Sequence, residues 1–225
     1  IADKIRKRFD HYAEILQSSR GLFAATNDVN REGWKKFIEI QKIDERFPGV
    51  LGVGFQKRTN DRDVFLRDMD ELKTLGLLHR DPPAVNREDG YYRYIFFLEP
   101  PNERNEMAYG YDMFSEPVRR VAIERSRDTD MPALSGKVTL VQEITKDSKQ
   151  AGFLIYFPVY ENGRLPSSIE ERNKYLIGHV YQPFRAGDFM DGIMQSQQPN
   201  IDFLIYRSEE HTSELQSHSF ISYAV

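Results

Sequence analysis

Cysteine is absent from the 225 residues of this chain, which excludes disulfides, a thiolate nucleophile and cysteine-ligated zinc. The absence assigns no compartment, because domains from oxidising compartments also do without cysteine. A surplus of positive charge is lacking too: 31 Lys and Arg against 35 Asp and Glu give a formal net charge of −4. Without a basic field for a phosphate backbone, nucleic acid is not an expected partner. No apolar run approaches the roughly 18 residues of a membrane-spanning helix, and the N-terminus shows no signal-peptide core. The 40% hydrophobic and 12% aromatic content that is present suffices for the core of one large or two small domains.

Catalytic signatures are missing as well. Gly49, Gly52 and Gly54 have a GxG spacing but no third glycine, so they read as a strand with close backbone approach rather than a dinucleotide loop. His11, His79 and His179 stand apart from one another without the HExxH spacing of a metal site and read as surface or core histidines. There is no GxSxG elbow, P-loop or kinase catalytic loop, and Glu99, Glu103 and Glu106 fall in a stretch read as a polar, solvated loop. No catalytic residue, metal or cofactor is expected, and the chain is not expected to be an enzyme by itself.

The pattern of elements is α+β. Ile5, Phe9, Tyr12, Ile15, Leu16, Leu22 and Phe23 recur at helical spacing, so residues 1–25 read as one amphipathic helix, packing on its own domain or forming a dimer seam. Asn30 caps a second helix with Trp34, Phe37, Ile38 and Gln41 on one face, and Phe47-Pro48-Gly49 ends it. Strands are expected at Gly49–Phe55, Tyr91–Pro100, Lys137–Ile144, Gly152–Tyr160 and Tyr175–Phe184, with a helix at Arg62–Leu75. Leu165–Arg172 reads as a polar connection and as a subdomain boundary; a helix over Ala186–Gln197 and a strand over Ile201–Tyr206 follow.

The stretch YGYDMFSEPVRRVAIERSRDT (Tyr109–Thr129) holds the most chemistry. Pro117 suits the first turn of a helix and Ser115 its cap. Asp112 just before that helix is favoured as an ionised carboxylate by the positive end of the dipole, able to accept from an amine or ring N–H. Capping is the commoner use of such an aspartate; if Ser115 caps, Asp112 is free. Arg119 and Arg120 read as one solvent-facing and one locally paired residue.

At the far end, RSEEHTSELQS (Arg207–Ser217) is the in-frame translation of a widely used sequencing-adaptor oligonucleotide, so residues 207–225 are expected to be an artefact and the native sequence to stop at Tyr206. The chain opens at Ile1 inside a helical pattern, which reads as a fragment of something longer.

FPGVLGVGF (Phe47–Phe55), YGYDMFSEPVRR (Tyr109–Arg120), LVQE (Leu140–Glu143), GFLIYFPVY (Gly152–Tyr160) and GHVYQPFRAGDFM (Gly178–Met190), in this order, resemble the CHASE domain. The resemblance implies an extracytoplasmic, periplasmic sensor domain between two transmembrane helices that lie outside this stretch. Its output would be a cytoplasmic histidine kinase or nucleotide cyclase of a two-component type system. It further implies a long stalk helix and two PAS-like modules with antiparallel sheets: residues 1–46 as stalk and linking helices, 47–164 as the membrane-distal ligand-binding module, and 165–206 as an incomplete proximal module. A homodimer through the stalk helix is implied.

In plant members the distal pocket takes cytokinins, and the acidic residue that contacts the adenine ring falls at Asp112, with the backbone near Leu134 as a second contact. The sequence around Asp112 departs from the plant pattern and looks more like bacterial members, so the ligand is expected to be a small molecule, adenine-like or another small amine, of unassigned identity. Tyr94, Phe96, Val138, Leu140, Leu154 and Tyr156 are the candidates for the pocket floor, with ordinary core packing as the competing role. A domain that couples to a protein partner without a small molecule is the alternative.

Overall fold

The computed structural model describes residues 2–26, 28–47, 49–86, 88–143, 151–189, 204–207 and 221–224. Helix α1 (Ala2–Ala25) carries Tyr12, Ile15, Leu16, Ser19 and Phe23 on one buried stripe, the spacing of an α-helical face. That stripe packs on its own domain: Phe23 lies 4.4 Å from Phe55 and 5.8 Å from Trp34, and Tyr12 stacks on Phe184 at 5.4 Å. Full burial of each such side chain contributes about 1.5–3 kcal/mol.

Helix α2 (Arg31–Gln41) starts where Asn30 Oδ1 accepts the Gly33 N–H at 2.8 Å, and it buries Trp34 and Ile38. Lys42, in the left-handed region at φ 52°, ends it and opens the short α3 (Ile43–Arg46). Strand β1 (Val53–Thr59) then leads to α4 (Arg62–Thr74), capped by Asp61, and to β2 (Tyr92–Glu99). Glu99 is the buried last residue of β2, not part of a solvated loop, and burial raises its pKa. The one-turn α5 (Glu103–Glu106) and a 3₁₀ turn at Met113–Ser115 precede α6 (Pro117–Thr129). Strands β3 (Ala133–Leu134), β4 (Val138–Thr139) and β5 (Ala151–Tyr160), helix α7 (Ile169–Tyr175), and strands β6 (Leu176–Arg185), β7 (Leu204–Arg207) and β8 (Ile221–Ala224) complete the order.

One antiparallel sheet, in the order β2-β1-β6-β5-β3 with β4 also on β5, carries the fold, and the class is α+β with a long N-terminal helix. Strand β6 follows the boundary placed near Leu165, yet it lies between β1 and β5, so that connection does not separate two sheets. The reason is pairing: Val180 faces both Phe55 and Phe157, and Tyr181 faces both Gly54 and Tyr156. Gly178 makes the β1–β6 approach possible, since a Cβ there would stand 2.1 Å from the Gln56 carbonyl oxygen, at φ 156°. Pro158 and Pro183 sit inside β5 and β6 rather than ending them. Pro158 pairs with His179 on one flank only, and Pro183 lies past the end of the β1 ladder.

Three expectations change. The strand expected over Lys137–Ile144 is reduced to Val138–Thr139, because the chain turns at Leu140, where Glu143 N–H bonds the Leu140 carbonyl at 3.1 Å. Glu143 points inward to Arg185 Nε at 2.9 Å, so its place in the alternation marked an ion pair, not a solvent face. Leu165–Arg172 is not all connection: Ser168 Oγ accepts the Glu171 N–H and starts α7. Ile144 to Gln150 and most of Ala186–Gln197 lie outside the described residues; Ala186 to Phe189 are helical. β7 pairs with β8, which belongs to the tail set aside as adaptor-like.

Candidate functional site

The two faces of the sheet carry different partners. Side chains alternate along β1, so Phe55 and Lys57 face one way and Gln56 and Arg58 the other. The first face is covered by α1, α2 and α4: Phe55 meets Phe23, and Lys57 Nζ lies 2.6 Å from Asp68 Oδ2 of α4. The second is covered by α6 and the 3₁₀ turn, through Tyr156 Oη against Met113 Sδ at 3.5 Å and Ser126 Oγ donating to the Tyr156 carbonyl at 3.0 Å.

Asp112 caps the 3₁₀ turn. Its Oδ1 accepts the Phe114 N–H at 2.8 Å, and its backbone carbonyl accepts the Ser115 hydroxyl at 2.6 Å. Ser115 therefore does not cap α6. Glu116 does, taking the Val118 N–H at 3.1 Å on one oxygen and the Arg119 N–H at 2.9 Å on the other, a reach that the shorter serine lacks. Burial raises the Asp112 pKa, opposed by the Phe114 N–H, the Arg93 charge, the Ser115 N–H and the Arg120 charge, so desolvation outweighs the dipole argument. The arginine pair also differs from expectation. Arg119 is buried and donates to the Thr139 carbonyl at 2.8 Å, while Arg120 donates to the Phe114 carbonyl at 3.0 Å and pairs with Glu88 at 3.6 Å.

Of the expected pocket-floor residues, Val138, Leu140, Leu154 and Tyr156 are buried on the α6 side or at its edge, where Leu140 packs over Gly152. Tyr94 and Phe96 are not brought to Asp112. Tyr94 pairs with Lys57 across the ladder and its hydroxyl donates to Asp68, on the opposite face. Phe96 falls in the β-bulge where the register shifts between Phe55 and Gln56, with Arg31 5.1 Å above its ring. Leu134 is half-buried and pairs with Ile155.

Behind Asp112, between α6 and the sheet, lies a narrow, partly open cavity of about 10 Å³, the size of a single water. Gln56, Arg58, Arg93, Arg127 and His179 line it on one part, and Phe114, Ile123 and Leu176 form its apolar wall. Phe114 and Arg93 join it to Asp112: the Arg93 guanidinium stands 4.2 Å from the Phe114 ring centroid. Burial pulls the Arg58 pKa down to about 10. Burial, with the charges of Arg127, Arg58 and Arg93, takes His179 down to about 3, so the ring is neutral at physiological pH. Of the surface and core readings that the sequence left open, His179 takes the core one, and it borders this cavity. The arginines were not singled out from sequence. The available signal was Arg93, set between two tyrosines in the otherwise aromatic and aliphatic run Tyr92–Leu98; Arg58, its cross-strand partner, follows Lys57 in a polar stretch and carried none.

Among the described residues no helix is long and apolar enough to cross a membrane, and no cluster of His, Asp and Glu could hold a metal ion. In comparison with known proteins, the CHASE domain family model matches residues 27–216. The chain is also similar to the hybrid signal transduction histidine kinase A of Dictyostelium discoideum, 26% identical over 217 residues. That match covers 90% of this chain and 10% of the relative, so the chain spans about a tenth of that protein's length. The family match extends over most of the chain, from α2 through the sheet: this chain belongs to the CHASE domain family of signal-transduction sensor domains.

Proposed function

We propose that this chain is the ligand-sensing, extracytoplasmic part of a membrane receptor whose cytoplasmic output is a histidine kinase or a nucleotide cyclase. A small molecule enters beside Asp112, between α6 and the sheet, and favours one packing of α6 over another; α1, paired with its copy in a homodimer, carries that bias toward the membrane. The observation that carries the reading is the small cavity one side chain from Asp112, where polar groups meet an apolar wall. The contact from α1 to the end of α6, Arg20 to Asp130 at 2.8 Å, gives the bias a route. The expected result is that some small molecules raise the Tm of the chain and that Asp112→Ala reduces the rise. Equal shifts in both proteins would remove Asp112 from the site.

A second reading has its own support. Tyr94, Phe96 and Tyr156 are packed rather than lining an open space, as suits a domain that couples to a protein partner without a small molecule. A screen in which no small molecule shifts the Tm would favour it.

A further inference from the structure

Arg58 and Arg93 are paired across β1 and β2 on the face that α6 covers, and Arg127 of α6 lines the same cavity. Like charges opposed across a ladder destabilise it unless a negative charge compensates. Arg93 has Asp89 and Arg127 has Asp128, both partly exposed carboxylates. Arg58 has no carboxylate within ion-pair distance among the described residues. Its guanidinium donates to neutral acceptors: Nη1 to the carbonyls of Asn173 at 2.8 Å and Leu176 at 3.1 Å, and Nη2 to Asn173 Oδ1 at 3.1 Å. The Tyr91 ring centroid lies 3.4 Å from its Cζ. Burying a cation without a counter-ion is costly, and a ring face offsets only part of that cost.

Three buried polar atoms on residues lining the cavity have no hydrogen-bond partner: Arg58 Nε, Gln56 Nε2 and His179 Nε2. Their residues are 6%, 2% and 2% exposed. Two of these atoms are obligate donors. An amine in this space would meet three guanidinium groups, so the amine expected from Asp112 alone does not suit the cavity behind it.

We propose that the cavity is an anion site that takes one compact negatively charged atom, a halide ion or an oxygen of a small carboxylic acid, against Arg58 Nε and Gln56 Nε2. The volume of about 10 Å³ stands at the lower limit for one water-sized atom, so the lining side chains must give slightly to admit a chloride. This rests on the sensory reading of the same module and adds to it the sign of the ligand's charge.

The test is thermal denaturation of the 225-residue chain at constant ionic strength, with sodium chloride or sodium acetate replacing the salt of a bulky sulfonate. The Tm is expected to rise saturably, and the anion that saturates at the lower concentration identifies the occupant. Arg127→Gln is expected to raise the half-saturating concentration at least about fivefold, as removal of one of the three positive charges around a partly desolvated site would. Gln56→Glu places a carboxylate among the three arginines, so it is expected to raise the Tm without added anion and to abolish the response. It decides the matter even if Arg127→Gln does not fold. A lower Tm in Gln56→Glu, or a response linear in salt and equal in wild type and variants, would overturn the proposal. A receptor whose kinase output ignores the anion while the stability of the chain follows it would leave the site standing and remove the sensory reading.

Discussion

Arg20 Nη2 donates to Asp130 Oδ2 at 3.3 Å, with Nη1 2.8 Å from Oδ1, so the C-terminal half of α1 is clamped to the residue that ends α6. The same guanidinium stands 4.9 Å from the Phe157 ring centroid and 5.3 Å from that of Tyr160. Both charged side chains are largely buried, so the pair is weakly screened by salt.

Arg20→Gln is expected to cost about 1.5–3 kcal/mol, the range for hydrogen bonds to charged groups. Asp130→Asn should cost less. In a double-mutant cycle by urea denaturation, the two are expected to couple by about 1 kcal/mol or more. Additive losses would show that the rings, not the carboxylate, hold Arg20.

The pH dependence of stability has a sign fixed by His179. Unfolded, imidazole titrates near 6.5; folded, this ring titrates near 3. The folded state therefore binds fewer protons across that window. The stability gained by keeping the ring neutral is complete above about pH 6.5 and is lost as pH falls, by at most about 1.4 kcal/mol per unit. His179→Gln should flatten the urea midpoint between pH 6.5 and 5, above the range where most carboxylates protonate. Parallel pH curves for wild type and variant would mean that His179 is accessible to protons in the fold.

Two glycines should respond to alanine with opposite signs. At Gly178 a Cβ would strike the Gln56 carbonyl at 2.1 Å and break the β1–β6 approach, so a loss of about 3 kcal/mol or more is expected. At Gly21, inside α1, a Cβ would meet nothing within 4 Å, and Gly21→Ala should stabilise by about 0.5–1 kcal/mol. Thermal scans of both variants check the pair. Similar shifts would mean that the β6 backbone relaxes away from β1.

Local chemistry was the part of this fold legible in the sequence. Asn30, Pro117 and the α1 stripe act through their own turn of helix, and each stands where the spacing places it. Ser168 and Glu171 had the same capping spacing, hidden in a stretch whose proline and serines read as loop. Lys137–Glu143 alternates as a strand would, yet Glu143 answers to Arg185, a partner far along the chain. The candidate site failed to assemble as expected for a related reason. Tyr94 and Tyr156 both look like core aromatics, and only the register Lys57 to Tyr94 and Tyr181 to Tyr156 sends them to opposite faces. Arg58 and Arg93 became neighbours through that same register, which one strand read alone does not contain.

The central place of β6 also governs the order in which this domain is made. Strands β1 and β2 leave the ribosome early and β5 later, but the strand that joins them is synthesised after both. Until Arg185 has emerged, two half-sheets wait with open edges, and the pairing that closes them on the β1 side spans well over a hundred residues. A polypeptide cut at Leu165 is accordingly expected to expose those edges and aggregate, rather than to yield a smaller working module.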